Sequence, residues 1–328
     1  MNLRLNFLFV VMAATAATAA LGQDIGHGVR PAGGGAQGAV PIPDFSGIWS
    51  HPSFPGFEPP ASGPGPVVNK SRRPQMNFDG RVLPAMNDIL VSNPAQLVGD
   101  YANPILKPRA AEAVKRKGEM ELAGIVGPTP TIQCWPEPVP YVFNGVAMQM
   151  LQQSDKIIFL YPNDHQVRYV RMNGAHPAPV TPSWYGDSVG RYEGDTLVID
   201  TVGVKIGPFA MVDFYGTPYT EGLHVVERYR LLDYEAAKEG LDRDGRENLR
   251  PPRGADAGSA PDYSYRGKHL QLQFTVEDEG VFTMPWSATI TYRRGAEAWR
   301  EVVCAESTQE LALAGRDAAV PHADKPDF

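Results

Sequence analysis

The acid-base chemistry open to this 328-residue chain rests on seven histidines and the carboxylates that fall near them. Asp164 and His165 are adjacent, after Tyr161-Pro162-Asn163 and before Gln166. A carboxylate beside an imidazole orients the ring for proton transfer, so the pair is a catalytic candidate. Turns favour the same residue types, and the plainer reading has Asp164 closing a turn while His165 bonds to backbone.

His224 opens the run His-Val-Val-Glu-Arg-Tyr, in which Leu223, Val225, Tyr229 and Leu231 share one face with Glu227. If that face is inward, Glu227 is a buried carboxylate that needs a cation, and Arg168 and Arg191 are the arginines at hand. If the other face is inward, the interior receives His224 and Arg228 instead. Asp187 and Asp200 form a further pair that could divide acid and base roles, as in glycosidases, or simply bond the ends of strands. The catalytic candidates are therefore His165, His224, Asp164 and Asp187, with Arg168 and Glu227 as substrate contacts. His176, on a segment followed by prolines, suits a capping or solvent role.

Other chemistries lack their signatures. His165, His176 and His224 show no His-x-x-x-His or His-Glu-x-x-His spacing, so no metal ligand set is assigned and no cofactor is expected; a haem held by one histidine leaves no local mark. There is no Gly-x-Ser-x-Gly elbow, and Gly33-Gly34-Gly35 precedes no strand-helix unit. A net charge of -7, with only short basic runs at 70–73 and 115–117, excludes a nucleic-acid partner.

The elements that must position these residues are mostly strands. At 183–203 two runs of β character flank Glu193-Gly194-Asp195, where glycine supplies the positive φ of a tight hairpin. Further strands are expected at 147–152, 156–161, 167–172, 187–192, 196–202, 224–232, 270–276, 287–293 and 300–305. Leu270, Leu272, Phe274 and Val276 alternate with polar residues, as do Trp286, Ala288, Ile290 and Tyr292. A sheet with one apolar face curls around it, so the fold class is mainly β, an antiparallel meander closing into a barrel. One helix is predicted at 107–123, with Pro108 in its first turn and Gly124 beyond its end. A short helix at 234–239 and a helical turn within 87–98 are minor additions.

Residues 1–22 carry Arg4, an apolar run and small residues before Gln23, the pattern of a cleaved secretory signal. Residues 23–40 read as a disordered leader, 41–140 as an irregular Pro/Gly-rich region holding the helix, 141–310 as the barrel and 311–328 as a tail. Export places the protein in the periplasm or outside the cell, with no membrane association once the signal is removed. The two cysteines, Cys134 and Cys304, suit a disulfide there. A loop of that length stabilises by roughly 4–5 kcal/mol on a chain-entropy argument.

Four segments resemble a group of exported bacterial proteins: Pro-Asp-Phe-Ser-Gly-Ile-Trp at 43–49, Tyr-Pro-Asn-Asp-His-Gln-Val-Arg at 161–168, Ser-Val-Gly-Arg-Tyr-Glu-Gly-Asp-Thr-Leu-Val-Ile-Asp-Thr-Val-Gly at 188–203, and Leu-His-Val-Val-Glu-Arg-Tyr at 223–229. The resemblance implies export and an architecture similar to lipocalin-like (calycin) barrels, and it assigns no catalytic role. Trp184, Tyr185, Phe209, Phe214 and Tyr215 fall where loops would cover the barrel mouth, and aromatic residues there point to a small hydrophobic or aromatic ligand. The expected function is either a cofactor-independent lyase or isomerase using histidine and aspartate, or a carrier with the same pocket and no turnover.

Overall fold

The computed structural model describes residues 41–51, 57, 64–70, 97–125, 127–145, 147–247, 262–295 and 303–304. Nine strands form one closed barrel: β1 (Gly47–Ser50), β2 (Ala147–Gln152), β3 (Lys156–Leu160), β4 (Val167–Met172), β5 (Asp187–Glu193), β6 (Thr196–Val202), β7 (His224–Leu232), β8 (His269–Glu277) and β9 (Trp286–Arg294). Strands follow chain order around the wall, and β1 closes it by pairing with both β2 and β9. The mainly-β barrel expected from the alternating pattern is therefore present, with two departures.

The first concerns strand direction. Every neighbouring pair is antiparallel except β4 and β5, which run parallel through Arg171↔Val189 and Met172↔Gly190. The chain between them travels back along the outside of the wall, so no hairpin joins the two strands. Gly190 makes their approach possible, because a Cβ there would stand 2.7 Å from the Met172 sulfur. The second concerns the ninth strand. It is β1, from the irregular N-terminal region; of the run expected at 300–305, only Val303 and Cys304 are described, and neither is in a strand. The signal, the leader, the tail and most of the turn expected within 87–98 lie outside the described residues.

Hairpin β5–β6 turns through Gly194 at φ +61°, as its sequence required. Helix α1 (Pro108–Leu122) starts on Pro108 and turns Ala110, Val114 and Gly118 inward. A second helix, α2 (Tyr234–Glu247), is longer than the single turn and a half its first residues suggested. Among the described residues no helix is long and apolar enough to cross a membrane.

Inside the barrel the alternating residues of all the long strands meet. Leu197, Ile199, Val225, Tyr229, Leu272, Phe274 and Ile290 are all buried. Beside them pack Phe45 and Trp49 from the N-terminal region, and the 3-10 turn Tyr141–Asn144, whose Phe143 ring centre is 5.0 Å from that of Phe274. Phe57 meets the same Phe274 ring edge-on at 4.9 Å. Each such side chain contributes about 2–3 kcal/mol by leaving water, so these insertions anchor irregular chain to the wall.

Candidate functional site

Three polar clusters emerge, and they sort the expected site residues by strand face. The first is inside. Inward positions of β4, β5, β6 and β7 bring Arg168, Ser188, Thr201 and Glu227 together. Arg168 donates to both carboxylate oxygens of Glu227, at 2.6 and 3.0 Å. It also donates to Ser188 Oγ at 3.1 Å and Thr201 Oγ1 at 2.7 Å, while the Tyr229 hydroxyl donates to Glu227 at 2.8 Å. Arg168 and Glu227 are 1% and 0% exposed. Desolvation alone would weaken the guanidinium's hold on its proton; the charge and hydrogen bonds of Glu227 more than reverse this. Arg168 is thus the partner of Glu227, and Arg191 lies on the outer face beside Glu193. A buried bidentate pair, bonded further by Ser188, Thr201 and Tyr229, ties β4, β5, β6 and β7 together from inside.

The second cluster is on the outer wall, across β5, β6, β7 and β8. Arg171 donates to both oxygens of Asp187, at 2.5 and 3.0 Å, and this holds the Asp187 carboxyl below its ordinary range. His176, from the loop after β4, sets Nδ1 2.6 Å from Asp187 Oδ1 and Nε2 3.0 Å from Asp200 Oδ1. His224 sets Nε2 3.1 Å from the same Asp200 oxygen and Nδ1 3.3 Å from Glu277 Oε2. Asp187 and His224 are therefore brought into one row, but His165 is not part of it. His176 and Glu277, which sequence reading left aside, complete the row.

The third cluster is at the barrel end where β3 turns into β4. Asp164 and His165 are the two central residues of that turn, both with φ +51°, and Gln166 N–H donates to the Asn163 carbonyl at 3.3 Å. Both are exposed, and Asp164 accepts the Cys304 N–H at 2.8 Å. Cys304 is joined to Cys134 in a disulfide, which fixes the segment around Cys134 as a strap over this end. Among the described residues only Cys134, Asp164 and Cys304 place three metal-type ligand atoms within 4.8 Å of one another, and both sulfurs are spent in the disulfide.

Under the strap lies Glu137, 4% exposed. Its N–H donates to Gln166 Oε1 at 2.8 Å, and the Tyr185 hydroxyl donates to the same oxygen at 2.9 Å. Burial pushes the Glu137 carboxyl up to about 7; hydrogen bonds from Thr131 and Asn163 pull the other way, and the nearby Asp164 charge adds to the rise. Burial, with the Glu137 and Asp164 charges, raises the Tyr185 phenol to about 12, so it stays a donor. Beside this group the Trp135 ring meets Trp184 at 5.0 Å and Phe209 at 5.9 Å, both edge-on. Phe214 meets Tyr141 at 5.5 Å. All of Trp135, Trp184, Tyr185, Phe209 and Phe214 are partly exposed. Tyr215 is buried elsewhere, with its ring against Gly99.

A separate cavity of about 690 Å³ opens between α1 and the loop of Pro218, Tyr219 and Thr220, with Arg109 and Arg116 on its rim. None of the residues singled out from the sequence lines it. No protein-family model, curated protein or solved structure matches the chain. Function must then be argued from these clusters. Of them only the strap end sets a buried carboxyl, pushed up to about 7, beside a group of partly exposed aromatic rings. Glu137 gave little warning of itself; the one available signal was its place three residues from Cys134, on a segment that a disulfide would hold against the barrel.

Proposed function

We propose that the protein is exported, binds a small, largely apolar or aromatic molecule at the strap end, and moves a proton on it as a cofactor-independent lyase or isomerase. The observation that carries this reading is the Glu137 carboxyl, buried with no cationic partner among the described residues and pushed up to about 7 by that burial, beside a cluster of partly exposed aromatic rings. A carboxyl in that range exchanges a proton at little cost in either direction, which is what a general acid or base needs. Tyr185, fixed by its bond to Gln166, supplies a hydroxyl donor, and Trp135, Trp184 and Phe209 supply the contact surface. In this reading Glu137 takes the role that His165 and His224 were expected to fill, and Asp164 acts by raising its proton affinity.

Trp135, Trp184 and Phe209 have no titratable group among them, which favours a carrier as the second reading. Both are tested together. Small molecules retained by protein recovered from the periplasm are identified by mass spectrometry, and their binding is followed by quenching of tryptophan fluorescence. Glu137→Gln keeps binding and abolishes conversion of the retained molecule if the protein is a catalyst. Conversion that survives Glu137→Gln rejects the proton-transfer role. Binding unchanged in a Trp135→Ala, Trp184→Ala double variant rejects the site altogether.

A further inference from the structure

We infer that the cavity between α1 and the loop of Pro218, Tyr219 and Thr220 binds a small amphiphilic anion, an apolar body that carries one carboxylate. The cavity shares no residue with the strap end. It exists because the residues that meet there are small: Ala110 and Ala113 lie about one turn apart on α1, and Gly280 adds no side chain. A volume of about 690 Å³ falls within the range of small-molecule sites.

Its walls are tied to one another. The Lys107 N–H donates to the Val281 carbonyl and the Thr283 N–H to the Ile105 carbonyl, both at 2.8 Å, which joins the start of α1 to the turn after β8. From the same turn the buried Asp278 accepts the Thr220 N–H at 2.6 Å and the Thr220 hydroxyl at 2.7 Å. The Tyr219 hydroxyl donates to the Lys205 carbonyl at 3.0 Å, and this holds the neighbouring Ile206 beside the loop. A pocket so braced needs little ordering when a ligand enters.

The lining combines apolar surface with charge. Ala110, Tyr219 and Val281 are buried, whereas Ile206 is 41% exposed, a large apolar side chain that a ligand's body would cover. Arg109 and Arg116 stand on one face of α1, about 10 Å apart along its axis. Arginine stems lie along apolar surface while the guanidinium stays free, and its planar fork takes a carboxylate through two parallel bonds. Glu112 and Glu221 also line the cavity, so the lining carries two charges of each sign, and none of the four has an ion-pair partner among the described residues. A balanced lining turns away a polyanion and suits a ligand with a single charge. Lys107, with Nζ on the Glu279 carbonyl, and Lys205, over the Trp184 ring, flank the lining residues and, against the one further acid Glu279, tip the field toward an anion.

The test titrates decanoate into full-length, disulfide-intact protein by calorimetry, with decanol and decyltrimethylammonium as probes that share the apolar chain and differ in charge. The expected result is one decanoate per chain, with the other two probes bound about tenfold more weakly. An Arg109→Gln, Arg116→Gln double variant, changed only at exposed positions, should weaken decanoate by about tenfold and bring it level with decanol. Ala113→Leu, which fills part of the cavity, should weaken decanoate and decanol alike. A Trp135→Ala, Trp184→Ala double variant should leave decanoate binding unchanged, which separates this site from the strap end. No saturable decanoate binding to the wild type, equal affinity in the double arginine variant, equal binding of the cationic probe, or loss of decanoate binding in the tryptophan variant overturns the assignment.

Discussion

Two buried glutamates show how a fold decides what a carboxylate becomes. Glu227 sits on an inward position of β7 and meets a guanidinium through two bonds, with Tyr229 on its second oxygen. Glu137 sits under an irregular strap, with Thr131 and Asn163 for company and no cation among the described residues. Desolvation acts on both, but only at Glu227 is the charge balanced within bonding distance. The first carboxylate is spent on holding strands together. Burial pushes the second up to about 7, and that difference is why the proposed chemistry is placed at the strap end and not in the barrel interior.

The comparison breaks most visibly at the ion pair. Glu227→Ala strands a buried guanidinium and should lower unfolding free energy by about 3–5 kcal/mol in urea titrations, whereas Arg168→Met with Glu227→Leu should recover much of the loss. A single variant within 1 kcal/mol of wild type would mean that the interior is wetter than its packing implies. Next in size is the strap. Removing the Cys134–Cys304 bond, by reduction or by Cys304→Ser, should cost about 2–5 kcal/mol and bring the Glu137 carboxyl down toward its ordinary range as water reaches it.

Glu137 itself should leave a mark on the pH dependence of stability. Its folded form holds a proton that the unfolded chain releases near the model-compound value of 4.5, so its contribution is fully present below that pH and is lost as pH rises through about 7. Stability should fall by on the order of 3 kcal/mol across that window, and Glu137→Gln should flatten the slope. Asp213, raised by burial from 3.8 to about 6, adds a slope of the same sign at lower pH that the Glu137 variant leaves in place. Unfolding curves at pH 5 and pH 8 for both proteins measure the difference. The smallest effect belongs to Tyr185→Phe, which removes one donor to Gln166 and should cost about 1 kcal/mol with no change in fold.

How much of this could be read from residues alone varies with their periodicity. The barrel was legible because Leu270 to Val276 and Trp286 to Tyr292 alternate cleanly, and every long strand has its expected place. Glu227 was legible as a buried carboxylate in need of an arginine for the same reason. Choosing Arg168 over Arg191 was not, because the inward residues of β5 are Ser188 and Gly190, which carry no apolar signal to mark the face. β1 is four residues long, too short for alternation to count, and its place in the wall is set by Trp49 packing and by pairing with distant β2 and β9. The parallel β4–β5 contact depends on where a loop returns, which turn residues do not encode. Asp164 and His165 were visible as a turn, and they are one. Glu137 lies among prolines with no period at all, and its burial is imposed by a disulfide partner 170 residues away from Cys134. The row of His176, Asp200 and His224 is likewise assembled across three elements that local spacing does not relate.

The most direct measurement is a titration of the Glu137 carboxyl by carbon-13 NMR on glutamate-labelled, disulfide-intact protein, with Glu137→Gln identifying the resonance. A midpoint near 7 is the predicted result. A midpoint in the ordinary glutamate range, near 4.5, would show a solvated carboxylate under the strap and would contradict the account.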